Sequence, residues 1–288
     1  MKKWLTIFAS FALILFLAAC GSTNNDAEDG GNADGEGAET ETEETTTLVV
    51  GASNVPHAEI LEKAKPILAE EGIELQIETF QDYVLPNQAL AGGDLDANYF
   101  QHIPYLNAQI EEHGYDFVNA GGIHIEPIGV YSKKYDSLDA LPDEAHIIIS
   151  SSVPDHGRIL SLLEKEGLIT LKEGIEKTAA TIDDIVDNPK NLQFDTEYEA
   201  SLLPQIYNND EGDAVLINSN YAIDAGLNPL EDSIAIEESD SPYVNVIAVR
   251  SGDENKEAIK KLVEVLRSEE IQNFILEQYE GAVVPVSE

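Results

Sequence analysis

Arginine is scarce in this chain, and Arg158, Arg250 and Arg267 account for all of it. Arg250 follows a predicted strand and Arg267 ends a predicted exposed helix, ordinary surface positions for both. Arg158 is different. It follows the apolar run His146-Ile147-Ile148-Ile149-Ser150 and a short polar loop, and it opens Ile159-Leu160-Ser161-Leu162-Leu163. A helix start offers free backbone N–H groups and a positive dipole end, to which a guanidinium adds a bidentate grip. That combination holds a carboxylate, beyond the carboxyl end of a strand where open α/β sheets bind ligands. Neutralising nearby acids is an equally simple use for the same side chain.

A second concentration of chemistry is Tyr99-Phe100-Gln101-His102-Ile103-Pro104-Tyr105, three aromatic rings and an imidazole in seven residues. The proline and the mixed polarity argue against a plain core strand. Such a turn suits the wall of an apolar pocket, with His102 offering a hydrogen bond, or else a structural corner. Among the six histidines only His124-Ile125-Glu126 has ligand-like spacing, because i and i+2 share one face of a strand. With no HExxH and no histidine-rich loop, no metal site and no cofactor are expected. GxSxG, SxxK and the phosphate loop GxxxxGK[ST] are missing as well. The single cysteine, Cys20, closes an apolar leader, so no catalytic residue is expected.

These groups must be positioned by something, and the surrounding signals alternate between strand and helix. Short apolar or alternating runs at 48–52, 73–77, 95–100, 128–131, 146–150, 214–217 and 244–249 predict strands. Helical spacing covers 57–71, where Pro66 predicts a kink or a break, and further helices are predicted from Pro86, over 157–166 and over 256–267. Thr181-Ile182-Asp183-Asp184 reads as a capping box. Alternation of this kind predicts an α/β fold with mainly parallel sheets.

The first twenty residues combine Met1-Lys2-Lys3, an apolar run and Leu17-Ala18-Ala19-Cys20-Gly21, the layout of a secretory signal peptide over 1–19. The small residues before Cys20 resemble a lipoprotein lipobox, which implies cleavage there and lipidation of Cys20. Residues 20–47 then read as a tether. From 22 onward they hold nine acids and no basic, aromatic or branched aliphatic residue, a composition that predicts disorder. A formal charge of −39 over the chain repels nucleic acid and anionic headgroups, so nucleic acid is excluded as a partner.

In order along the chain, Gln81-Asp82-Tyr83-Val84-Leu85-Pro86-Asn87, Asp94 through His102, His124-Ile125-Glu126-Pro127, Ile217-Asn218-Ser219-Asn220-Tyr221-Ala222, Ala225-Gly226-Leu227-Asn228-Pro229 and Ser241-Pro242-Tyr243-Val244-Asn245 resemble the NlpA-type lipoproteins, methionine-binding subunits of ABC importers. The resemblance runs from about residue 49 to 285. It implies a two-lobed, periplasmic-binding-protein-like fold of type II whose chain crosses twice between lobes, near Glu126-Pro127 and near Asn245. Lobe 1 would be 48–126 plus 246–288, and lobe 2 would be 127–245. Carried over by position, Tyr83, Phe100, His102 and Tyr105 would embrace a thioether side chain. Arg158 would hold the carboxylate, with Asn218 and Asn245 fixing the amino and carboxylate groups. The implied protein is a monomer, lipid-anchored on the extracytoplasmic face of the cell membrane, that delivers L- or D-methionine to an importer's permease. His156-Gly157 stands where the family usually has Gly-Gly, and 150–155 and Tyr99 also depart from its pattern. A methionine-containing dipeptide or another amino acid is the alternative ligand. An enzyme on the same two-lobed fold is a rival of another class, weakened by the missing nucleophile and metal signatures. A surface interaction lipoprotein with a vestigial cleft is a second.

Overall fold

The structure, a computed structural model, describes residues 45–286. The expected signal peptide, Cys20 and all but the end of the expected tether lie outside the described residues. The chain folds as two lobes, each a sheet with helices on both faces.

The first lobe opens with β1 (Thr46–Ser53), α1 (Glu59–Glu70), β2 (Ile73–Phe80), α2 (Leu85–Gly92), β3 (Ala97–His102), α3 (Ile103–His113) and β4 (Phe117–Ile125). β1 starts two residues before the expected end of the tether, because Thr46 and Thr47 pair with Ile73 and Glu74. The second lobe takes β5 (Gly129–Tyr131), β6 (His146–Ser150), α4 (Val153–Lys165), β7 (Thr170–Leu171), β8 (Ile185–Asp187), β9 (Gln193–Tyr198), α5 (Leu203–Asn208), β10 (Ala214–Ile217), α6 (Ser219–Asp224) and β11 (Ala235–Ile236). The chain then returns to the first sheet through β12 (Val244–Arg250), α7 (Glu257–Leu266), α8 (Glu269–Tyr279) and β13 (Val284–Pro285). The first sheet runs β13-β4-β12-β3-β1-β2 and the second β11-β5-β10-β6-β9.

Mainly parallel pairing does not hold. β1 is parallel to β2 and β3, and β6 to β9 and β10, where helices form the crossovers. β12 and β5 pair antiparallel with their neighbours, because each enters its sheet directly from the other lobe without a helical crossover. Both sheets are mixed.

Alternation along the strands feeds two cores per lobe. Ile147 and Ile149 pack under α4, while Ile148 points the other way, toward α5 and α6 with Val215 and Ile217. In the first lobe Val50, Leu61, Leu262 and Ile271 fill one face and Leu90, Leu106 and Phe117 the other. Pro66 neither breaks nor ends α1. It lies on the exposed side, so the carbonyl one turn back that loses its donor can bond water instead. The Thr181–Asp184 capping box is present but opens only a single 3-10 turn. Arg250 and Arg267 are not loose surface groups. Arg250 donates to the carbonyls of Leu90 and Leu95, and Arg267 to that of Gly122. Among the described residues no helix is long and apolar enough to cross a membrane.

Candidate functional site

Between the lobes lies a narrow cleft lined by residues of both. The seven residues expected to bind ligand all line it: Tyr83, Phe100, His102, Tyr105, Arg158, Asn218 and Asn245. Their positions follow from local structure.

Tyr83 sits in the turn between β2 and α2, which Asp82 Oδ1 fastens by accepting from the Val84 and Leu85 amides at 2.7 and 2.8 Å. Below that turn, Asn87, Asn98 and Gln101 form a buried amide cluster that ties α2 to β3. Phe100 and His102 stand two residues apart on β3 and share a face. The rings of Tyr83, Phe100 and Tyr105 lie about 6 Å apart, a wall of three aromatics. Tyr99 is not part of it. It faces the opposite way into the first-lobe core and bonds His124.

His102 is the N-cap of α3, and its Nδ1 accepts from the Tyr105 amide at 3.1 Å. The proton therefore resides on Nε2, which donates across the cleft to Asp155 Oδ1 at 3.0 Å. Asp155 Oδ2 accepts from Asn218 Nδ2 at 3.3 Å. Burial opposes the charge of Asp155, but the His102 bond and field, with Arg158 and Asn218, outweigh it and bring the carboxyl to about 2. Asn218 occupies the N-cap of α6 without capping it, so its side chain is free for the cavity and its Oδ1 is buried with no partner.

Arg158 is 4 % exposed. It does not open the helix: α4 begins at Val153, and Arg158 stands in its second turn, three residues after Asp155. Ser-Val-Pro-Asp reads as loop, but Pro154 in the first turn is preset for helix and Ser152 stands extended before it without a side-chain capping bond, which is why the helix starts earlier than expected. The guanidinium joins both readings made from sequence. Nε donates to Glu237 Oε2 at 2.8 Å, Nη2 donates to the same oxygen, and Nη2 also reaches the Glu126 carbonyl at 2.5 Å. Nη1, 3.8 Å from Asp155, is left at the cavity, and the plane lies 4.7 Å over Tyr243. Neutralisation by Glu237 and exposure to the cavity thus coexist.

Gly157 is required by packing. A Cβ there would lie 2.3 Å from the Lys177 carbonyl. Its neighbour His156 is buried and bonds the Ser150 carbonyl at 2.9 Å, which accommodates a side chain before that glycine.

Sequence reasoning missed Glu126, Asp155, Glu237 and Asn220. Asp155 was within reach, since i and i+3 share a helix face. Asn220 accepts from the Tyr83 hydroxyl at 2.6 Å across 137 residues, and Glu237 meets Arg158 across 79, separations that leave no local signal. His57 was also missed. It joins the spaced pair His124 and Glu126 in a buried group whose ligand atoms lie within 4.8 Å of one another, close enough that they could hold a metal ion. The separations within it, 2.7 and 3.1 Å from the two Nε2 atoms to Glu126 Oε1, are those of hydrogen bonds.

The NlpA lipoprotein family profile matches residues 48–287. The chain belongs to the NlpA lipoprotein family. A methionine-binding lipoprotein MetQ of Bacillus subtilis is 47% identical over the full length of both chains. Among solved structures, a pheromone cOB1 precursor/lipoprotein of the YaeC family from Enterococcus faecalis is 58% identical with a TM-score of 0.82, covering 84% of this chain and all of that one. A nutrient binding protein from Burkholderia cenocepacia bound to methionine is 42% identical with a TM-score of 0.78, covering 83% and 99%. The Bacillus subtilis and Burkholderia cenocepacia proteins are named for binding, not for catalysis.

Proposed function

We propose that this NlpA-family chain captures methionine, as the L or the D form, in the cavity between its lobes and hands it to the permease of an ABC importer. The observation that carries this reading is the pairing, in one cleft, of a three-ring wall with a buried guanidinium and an orphaned amide oxygen. The thioether packs among Tyr83, Phe100 and Tyr105, gaining apolar burial and sulfur–aromatic contacts. His102 supports that wall and bridges to Asp155. Arg158 Nη1 takes the carboxylate, and Asn218 and Asn245 bond the zwitterion's charged ends. Removing both ends from water is tolerable because fixed partners replace it.

The lobes are 48–126 with 246–288, and 127–245, and they close about the two crossovers. Lipidated Cys20 anchors a monomer to the membrane's extracytoplasmic face, and residues 22–45 serve as the tether. Mass spectrometry of small molecules released by denaturing the purified full chain tests the reading. Methionine in near-equimolar amount is expected. A different ligand class, or an empty protein that also fails to take up added methionine, refutes it.

A further inference from the structure

The helix α6 (Ser219–Asp224) belongs to the second lobe, yet its far half is fastened to the first. Ala222 is buried in the second-lobe core, which keeps the helix attached to its own sheet. The next residue, Ile223, packs instead against the first-lobe core, and among the described hydrophobic residues it is the one from 127–245 to do so. On either side of it the same boundary carries polar contacts. The Tyr221 hydroxyl donates to the Gln81 carbonyl at 3.3 Å, and its ring lies 4.9 Å from that of Tyr83. Asp224 Oδ1 accepts from Asn54 Nδ2 at 2.6 Å. Asn54 begins the turn 54–58 ahead of α1, and α6 packs along that turn.

Asn54, Gln81, Tyr221, Ile223 and Asp224 all lie outside the lining of the ligand cleft. Contacts that a ligand never touches hold the lobes together whether or not one is bound. They leave the intrinsic affinity of the closed cleft alone and act on the balance between open and closed forms. Apparent affinity is the intrinsic affinity scaled by the closed fraction, so this balance sets how tightly the protein holds its ligand. One half-buried isoleucine and two hydrogen bonds are individually modest, but together they shift such a balance by an order of magnitude or more.

We infer that α6 is a clasp, with Tyr221, Ile223 and Asp224 as positioning residues that hold the lobes closed from beyond the ligand's reach, so that the closed form is already populated before a ligand arrives. The inference rests on the reading of the molecule as a two-lobed capture protein and adds what sets its closure. Asn54 and Asp224 are both exposed, so their contact can be altered without disturbing a core. Tyr221 touches Tyr83, which lines the cleft, and is therefore left intact in the test.

The test combines small-angle X-ray scattering with calorimetry on the full chain, stripped of small molecules by dialysis and kept at low ionic strength, where exposed charges are least screened. Asn54→Asp sets two carboxylates against each other across the boundary, and Ile223→Ser removes the apolar contact. Both are expected to enlarge the radius of gyration of the methionine-free protein, while saturating methionine returns each to the wild-type curve. Methionine should bind about threefold weaker in Asn54→Asp and about tenfold weaker in Ile223→Ser. Combining Asn54→Asp with Asp224→Asn rebuilds the bond with donor and acceptor exchanged, and should restore both radius and affinity, a rescue that loss of local structure would not show. A methionine-free wild type as expanded as Ile223→Ser overturns the inference. So does an Asn54→Asp variant that scatters and binds like the wild type, or an exchanged pair no better than the single change. Should Ile223→Ser fail to fold, the exposed pair decides alone. A wild type that binds no methionine refutes the capture of methionine, and the scattering of the methionine-free forms still decides the clasp.

Discussion

The two sides of the cavity are built differently. The aromatic wall comes from residues 83–105, a turn, a strand end and a helix cap that are neighbours in sequence. The polar floor gathers Glu126, Asp155, Arg158, Asn218 and Asn245 from both crossovers and two second-lobe helices. Apolar rings need only burial, and a compact segment can bury them. Charged groups removed from water each need a partner, and partners come from wherever the fold brings them. The wall is therefore locally specified and the floor globally specified, and the two should respond differently to perturbation.

Arg158→Ala strikes the floor hardest. Glu237 is left half-buried without its cation, and stability is expected to fall by about 3–5 kcal/mol in chemical denaturation. Methionine binding should weaken by about 2 kcal/mol or more in the same variant, read by calorimetry. A variant as stable as the wild type would mean that the floor is no more interdependent than the wall.

The next effect is the pH dependence contributed by His57, which lies behind the floor against Glu126 and Asn245. His57 is held at about 4 in the folded chain, against 6.5 for an exposed histidine, mainly by burial. Between those values the unfolded chain takes up a proton that the folded chain refuses. Stability from this group is thus complete above pH 6.5 and declines as the pH falls toward 4, by roughly 3 kcal/mol. Denaturation of wild type and His57→Asn at pH 7 and pH 4 measures it, and the variant should show the shallower decline.

Much of the fold was legible. β6 and β10 fall on their expected residues, since short apolar runs bounded by loops leave little alternative. The antiparallel insertion of β12 was not, because nothing within 244–250 states which strands it will lie between. In the site the same division recurs. The cluster at 99–105 announces itself, although only the strand geometry shows that Tyr99 turns away from the cavity. Arg158 drew attention through the scarcity of arginine, whereas Glu237 could not, being one acid among fifty-five acidic residues.

Smaller changes sharpen the contrast. Asn218→Ala removes both a cavity acceptor and the donor to Asp155, and about 1–2 kcal/mol of methionine affinity should go with it. On the wall, norleucine replaces the ligand's sulfur by a methylene and tests the rings alone. It is expected to bind only about 0.3–1.5 kcal/mol more weakly than methionine by competition calorimetry. A larger penalty would mean that the wall recognises sulfur as specifically as the floor recognises charge.

The most direct test of the whole account is a crystal structure of the full chain with methionine bound. The account predicts the carboxylate on Arg158 Nη1 and the thioether sulfur among Tyr83, Phe100 and Tyr105. Methionine lying reversed, with its sulfur toward Arg158, or bound outside this cavity, would contradict it.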